Sequence, residues 1–307
     1  MTNEQTRIVR ADLHNHLRTS SYWRRGDFNR AVDVAQRRLG AGGITGLINF
    51  SDKRFETFAE LPGYERTFVG ESQNAIYVPQ KDILIAKGQE IPTQQGHLLV
   101  LGLPKDVHLK DWGDLENTMK EARKNGGSNV ADHLFSRSGI GPHIQEKLEL
   151  FEQLDAIEVF NGEADLWFPG LMPRNANPKA LRFYQGYNPS GVGALTTGDG
   201  HSFDEVGRCW TALDAQRNYE RFDTKRFRQA VKSAPASPEY SMQSYHKLDG
   251  YPAFGPVSVR QRRNPLKLEA LTHIALLGAL VCGAKISQPV RSLVGIEKYY
   301  DIPRPVT

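Results

Sequence analysis

Asp12-Leu13-His14-Asn15-His16 closes a short apolar stretch near the N-terminus and reads as the carboxyl end of a β-strand. A strand alternates its side chains, so residues i and i+2 share a face. Both imidazoles therefore point the same way, as two ligands of one ion must. Thr197-Gly198-Asp199-Gly200-His201 repeats that spacing far along the chain, and Glu90 and His133 stand between, each at or near the end of another apolar run. A fold that gathers these strand ends on one rim builds a metal pocket.

Away from these motifs, apolar runs and helical patterns alternate, which predicts an α/β fold. Strands are expected at Arg7 to Leu13, Ile44 to Phe50, Ile83 to Ile91, His97 to Leu103, Ser128 to Asp132, Ala156 to Phe160 and Gly191 to Thr196. Helices are expected at Asn29 to Leu39, Leu115 to Lys124, Ile144 to Leu154 and Pro178 to Gln185. Glycines follow the first two of these helices, as helix ends favour. Phe55 to Val78 is weakly patterned and reads as a lid or an insertion. Beyond about Arg221 come a basic helix (Thr224 to Ser233), a connector rich in Pro, Ser and Tyr, and a helix from Leu266 to Gly283. They read as an appendage wrapped on the barrel. The expected division is a barrel domain over residues 1–235 and a mostly helical extension over 236–307.

The chain has 307 residues, enough for one large barrel or two ordinary domains. With 39% hydrophobic and 24% charged residues, it has the balance of a soluble globular protein and not of a disordered one. The apolar run Ile274 to Gly283 is far shorter than the roughly 20 residues of a membrane span, so no membrane partner is expected. Met1 to Gln5 is polar and unlike a signal peptide. Cys209 and Cys282 match no zinc or redox spacing and read as free thiols of a cytoplasmic protein. Much of the net charge of +4 comes from arginines near the N-terminus. Arg30, Arg37 and Arg38 read as a solvated helix face. For Arg18, Arg24 and Arg25, close behind the first histidine pair, an anionic substrate competes with that reading.

Taken in order, Asp12-Leu13-His14-Asn15-His16, Lys87-Gly88-Gln89-Glu90-Ile91 leading into Gly96-His97-Leu98-Leu99, Ala131-Asp132-His133, Ile157-Glu158-Val159 and Gly198-Asp199-Gly200-His201 resemble the motifs of the polymerase-and-histidinol-phosphatase (PHP) superfamily. The resemblance covers roughly residues 7–235. It implies a distorted seven-stranded β/α barrel, a cluster of zinc, manganese or iron ions, and phosphoester hydrolysis. Metal-ligand positions match at His14, His16, Glu90, His133, Asp199 and His201. The first ion is implied to take His14, His16, Glu90 and Asp199. A neighbouring ion would share Glu90 and add His133, with its third ligand after the Ile157-Glu158-Val159 strand, where this chain offers Asn161, Glu163 or Asp165. For a third ion the family expects a histidine where Ser51-Asp52-Lys53 stands, and of that ion's ligands only His201 remains. Two ions per chain are therefore expected. Lys53 either places a fixed cation beside the site, where it can bind a substrate phosphate, or points to solvent.

The function so implied is hydrolysis of a phosphomonoester or nucleotide by a metal-activated water. Asp199 and His201 would position the water, and Arg18 and Lys53 would bind the phosphoryl group. The alternative is a degenerate PHP module that binds a ligand or partner without catalysis; cleavage of a non-phosphate bond ranks last. His97 reads as support for the ligands or as plain core polarity rather than as a ligand. His108, His143, His246 and His273 read as structural or surface residues. Glu158 reads as an interior strand residue, with an acid or base role the lesser option. Tyr22 and Trp23 read as a pocket wall, with base stacking as the rival. Arg260-Gln261-Arg262-Arg263 with Lys267 reads as a solvated helix start, so nucleic acid is possible but not indicated.

Overall fold

The computed structural model describes residues 6–17, 27–162, 164, 176–187, 191–200 and 206–234. The strands are β1 (Thr6–Asp12), β2 (Gly43–Asn49), β3 (Thr67–Val69), β4 (Ala75–Val78) and β5 (Ile83–Thr93). They continue with β6 (Gly96–Leu101), β7 (Ser128–Ala131), β8 (Ala156–Asn161), β9 (Gly193–Thr197) and β10 (Thr211–Gln216). The helices are α1 (Asp27–Leu39), α2 (Arg54–Glu60), α3 (Leu115–Lys124), α4 (Gly141–Glu146), α5 (Ala176–Tyr187) and α6 (Thr224–Lys232).

All ten strands share one sheet, ordered β10-β1-β2-β5-β6-β7-β8-β9, with the β3–β4 hairpin attached through β4 to β5. β1, β2 and β5 run parallel, as do β7, β8 and β9, while β6 opposes both its neighbours and β10 opposes β1. The two ends of this path meet. The Thr211 hydroxyl accepts from the Thr196 amide at 2.7 Å and donates to the Thr196 carbonyl at 3.0 Å. Above them an isolated bridge pairs Asn15 with Gly200. The result is a nearly closed, barrel-like sheet in a mixed α/β fold. The sevenfold β/α count does not map onto it strand for strand, because the path holds eight strands and two run against the rest.

Every residue of β2 and of β5 is buried, as expected for parallel strands covered on both faces. One apolar cluster draws on each strand of the path: Val9, Ile44, Leu84, Leu99, Val130, Ala156, Leu195 and Leu213. This is the barrel interior. It continues into Phe227 and Val231 of α6 and into Tyr219, whose hydroxyl donates to the Gly42 carbonyl. α6 therefore floors the end of the barrel where the parallel strands begin. The sequence-based expectation of an appendage from Arg221 onward is corrected here up to residue 234, and β10 is a strand that it missed. Residues 236–307, including Cys282 and the Ile274 to Gly283 run, lie outside the described residues. Among those described, no helix is long and apolar enough to cross a membrane.

α1 seats Phe28, Ala31, Val32, Ala35 and Leu39 against Leu47, Ile83 and Ile85. Arg30 and Arg37 are exposed as expected, but Arg38 is half-buried and donates to the Val206 carbonyl at 2.7 Å. The stretch read as a lid or insertion forms α2 and the β3–β4 hairpin. The helix expected over Ile144 to Leu154 is interrupted at Lys147, with α4 before it and a 3-10 turn over Leu148–Gln153 after it. Phe151 and Leu154 are both buried three residues apart, a spacing that suits the three-residue turn of a 3-10 helix. Gly46 lets β2 approach β1 where the site begins, since a Cβ there would run into the Leu13 carbonyl.

Candidate metal centre

The site occupies the end of the barrel opposite α6. Alternation in the strands explains which side chains face it. Glu90 shares its face of β5 with Leu84 and Ala86, and His97 shares its face of β6 with Leu99 and Leu101. β6 runs against β5, so His97 at its start lies beside Glu90 near the end of β5. On β8, Glu158 shares the face of Ala156. Each of these faces is the interior one, and the polar residues stand above the apolar core at its carboxyl end.

His14, His16 and Glu90 form one group able to hold a metal ion, and Glu90, His97, Asp132 and His133 form another. In the first, His14 Nε2 and His16 Nε2 lie 2.9 Å apart, and His16 Nε2 is 2.8 Å from Glu90 Oε2. His14 Nε2 stands 4.0 Å from the same oxygen. Asp199 Oδ1 is 3.4 Å from His14 Nε2 and 3.6 Å from His16 Nε2. Four ligands at about 2.0 Å from a tetrahedral ion are spaced about 3.3 Å from one another, and these distances bracket that value. The donor set of imidazole and carboxylate suits a divalent metal ion.

The other carboxylate oxygen of Glu90 turns to the second group. Oε1 is 3.0 Å from His133 Nε2 and 2.5 Å from His97 Nδ1. Glu90 thus divides its two oxygens between two sets of histidines. Sequence reasoning placed His97 in support of the ligands or as plain core polarity; the structure groups its ring with Glu90, Asp132 and His133 as side chains able to hold an ion. His108 and His143 belong to neither group.

Glu158 is fully buried, with its interior placement as expected but with more partners than that reading supplied. It meets His14 Nδ1 at 2.8 Å and accepts from the His133 amide, Asn161 Nδ2 and Thr197 Oγ1, each at 2.7 Å. It thereby sets the ring of His14 and leaves Nε2 for an ion. Asp12 plays a parallel part for the backbone. Its carboxylate accepts from the Gly198 amide at 2.9 Å and the Gly207 amide at 2.8 Å, holding the segment that carries Asp199. Asp199 itself has a φ of +51°. The signal for Glu158 was an acid inside the apolar run Ala156-Ile157-Glu158-Val159-Phe160, a placement that requires partners.

Of the third-ligand candidates, Asn161 is engaged elsewhere: Nδ2 also donates to Asp199 at 3.2 Å and Oδ1 accepts from the Ala164 amide at 2.9 Å. Glu163, Asp165, His201 and Arg18 lie outside the described residues, as do Tyr22, Trp23, Arg24, Arg25, His246, His273 and the Arg260 to Lys267 run. Lys53 is exposed at the start of α2, where its backbone carbonyl accepts from the Thr57 amide and hydroxyl. The buried cation is its neighbour Arg54, 4% exposed, with Nε 2.9 Å from Asp52. Its charge bears on His16. Phe50 walls the pocket, its ring centroid 6.2 Å from that of His16 and 5.7 Å from that of His97.

The protonation of the cluster follows from this crowding. Burial opposes charge on His14, but Asp199, Glu158 and Glu90 outweigh it and raise its pKa well above the ordinary histidine value. Burial likewise opposes charge on His133, yet Asp132 and Glu90 push it up to about 10. His16 falls to about 4, because burial and the nearby His14 and Arg54 cations outweigh Glu90. Glu90 lies well below the carboxylate range despite burial, held there by His97, His16 and His133. Burial lifts Asp12 and Asp132 each to about 7.

No family model matches the chain, and no curated protein matches it in sequence. In structure it is similar to PsfC from Pseudomonas syringae, with a TM-score of 0.54 and 18% identity over 78% of this chain and 96% of that one. A weaker likeness links it to Endonuclease Q in complex with a 27-mer duplex bearing an abasic lesion, with a TM-score of 0.49 and 13% identity. That match covers 74% of this chain and 57% of that one. The lesion-specific endonuclease from Pyrococcus furiosus gives a TM-score of 0.43 and 12% identity over 74% of this chain and 56% of that one. At these identities the likeness to PsfC is one of fold.

Proposed function

We propose that this chain is a metal-dependent hydrolase of phosphoesters on a PHP-type barrel, acting on a phosphomonoester or nucleotide. The observation that carries the reading is the divided carboxylate of Glu90, which faces His14 and His16 with one oxygen and His133 with the other. A carboxylate whose oxygens face two sets of ligands suits a pair of ions, which would clamp both the attacking and the leaving oxygen of a phosphoryl transfer. His14, His16, Glu90 and Asp199 would hold one ion; Glu90 and His133 would hold the other.

The ions would supply a nucleophile at neutral pH by lowering the pKa of a water to about 7. The chain's own residues do the rest. Glu158 fixes the tautomer and orientation of His14, and Asp12 fixes the backbone that presents Asp199. Asp199, with His201 beyond it in sequence, orients the attacking water. Arg54 adds positive charge beside His16, and Arg18 and Lys53 are assigned to the phosphoryl group. Phe50 excludes water from one wall, which strengthens these interactions.

The test is elemental analysis of the purified protein together with a panel of phosphatase and nuclease substrates supplied with manganese. Two ions per chain and turnover of a phosphoester are expected, and His14→Ala or Asp199→Ala should abolish both. Retained turnover after complete metal removal would sink the mechanism. A chain that takes up no ion and turns over nothing would instead be the non-catalytic scaffold.

A further inference from the structure

We infer that Arg54 grips the phosphoryl group of the substrate through its two terminal nitrogens, and that this group is a terminal phosphate, as in a phosphomonoester. The inference rests on the reading above in one respect, that a pair of ions lies at Glu90.

Arg54 is a buried cation with most of its hydrogen-bonding capacity unused. The residue is 4% exposed, and its Nε donates to Asp52 Oδ2 at 2.9 Å. No acceptor among the described residues meets Nη1 or Nη2. Buried charges are normally matched by partners, because leaving water without them is costly. The guanidinium fork fits oxyanions such as phosphate, with both terminal nitrogens donating at once. What the outer edge of Arg54 lacks is an anion.

The backbone fixes where that edge stands. The Ile48 amide donates to the Asn15 carbonyl at 3.0 Å, so β2 ends beside the first histidine pair. Phe50, just beyond, abuts the rings of His16 and His97, and Arg54 opens α2 four residues later. The first turn of α2 is clamped by Asn49, whose Oδ1 accepts from the Phe55 amide at 2.7 Å and whose Nδ2 donates to Glu56 Oε2 at 2.9 Å. Glu56 Oε1 in turn accepts from Lys87 Nζ at 2.7 Å. That lysine is 1% exposed, and it also donates to the carbonyls of Pro104 and Val107, each at 3.0 Å. A helix start braced in this way presents its arginine before a ligand arrives, which lowers the ordering cost of binding.

The oxygens on phosphorus select the ester. An internal phosphodiester has two free oxygens, and a pair of ions would occupy both. A terminal phosphoryl group has a third, which the guanidinium would take. Its second negative charge also suits a site that adds a fixed cation to the ions. The part that the sequence suggests for Lys53 thereby moves to the next residue, which is buried where Lys53 is exposed.

The experiment is calorimetric titration of the Mn(II)-loaded full chain, its metal content measured first, with inorganic phosphate and with dimethyl phosphate as the diester analogue. Wild type should bind phosphate at least about 10-fold more tightly than dimethyl phosphate. Arg54→Gln should keep the wild-type metal content, lose about 10–100-fold in phosphate affinity and bind dimethyl phosphate nearly as before. If Arg54→Gln does not fold by circular dichroism, Arg54→Lys, which keeps the charge and loses the fork, should weaken phosphate by about 10-fold. In Arg54→Ala, added guanidinium ion should restore part of the phosphate binding, which a merely structural role would not allow. A folded Arg54→Gln or Arg54→Lys with wild-type phosphate affinity would overturn the inference and leave the metal reading intact. So would a metal-loaded wild type that binds the two ligands equally or binds neither. A wild type that takes up no metal would overturn the metal reading, and this inference with it.

Discussion

Glu158 shows how much of the candidate centre depends on a side chain that would touch no ion. Four donors converge on its carboxylate, one of them the ring of His14. Partners of this kind typically account for 10–100-fold in metal affinity. Glu158→Gln, which keeps the shape but loses the charge, should weaken metal uptake by about that factor while the fold persists. Titration calorimetry beside a circular dichroism melt would check it, and unchanged affinity would remove Glu158 from the site. Glu158 and its neighbours also mark what the sequence could express. His14, His16, Glu90, His133 and Asp199 were legible because each terminates or nearly terminates an apolar run, and strand alternation then fixes a shared face. Asp132 was not, because alternation sends it away from His133 and nothing in Ala131-Asp132-His133 announces the positive φ that His133 takes. The choice between Lys53 and Arg54 as the inward cation was equally hidden, since both stand where β2 has ended and α2 begins.

Among the elements, β10 carries the clearest lesson. Thr211-Ala212-Leu213-Asp214-Ala215-Gln216 is short and weakly apolar, so periodicity alone did not mark it. It forms because β1 offers an antiparallel edge over the register Thr6↔Gln216 to Ala11↔Thr211. Its first residue joins the ends of the sheet through the hydroxyl bonded to Thr196. Thr211→Val preserves shape and removes both bonds, leaving a buried amide unpaired at a cost of about 1–3 kcal/mol. Urea unfolding should show that loss, and hydrogen exchange should quicken at the Thr196 amide. A stability unchanged within about 0.5 kcal/mol would mean that the seam does not depend on this hydroxyl. α6 was legible as a helix from its pattern but not as a floor. Its anchor, Arg228 on the buried Asp155 at 3.1 Å, joins residues far apart in the chain.

For the molecule as a whole, ion binding, protonation and stability are one linked equilibrium. The raised values of His14 and His133 mean that, without metal, their protonated forms stabilise the fold. That contribution is complete below the ordinary histidine value of 6.5 and is lost as pH rises toward about 10, where His133 deprotonates. The metal-stripped protein should therefore lose thermal stability across that window, while the loaded protein, whose ligands are already deprotonated, should hold its melting temperature. Melts at several pH values with and without chelator measure this directly. Identical pH profiles for the two forms would contradict the linkage.

The clasp of Asp12 on Gly198 and Gly207 bears on the order of events during synthesis. The two bonds span 186 and 195 positions of sequence. Contacts of such long range form late, after most of the loop-closure entropy has been spent. A growing chain presents His14 and His16 to the cell early, yet their partner Asp199 arrives only when the sheet is nearly whole. With the ligand set proposed above, capture of the first ion would be deferred to the last stage of assembly, and metal retention would report that the chain has finished folding.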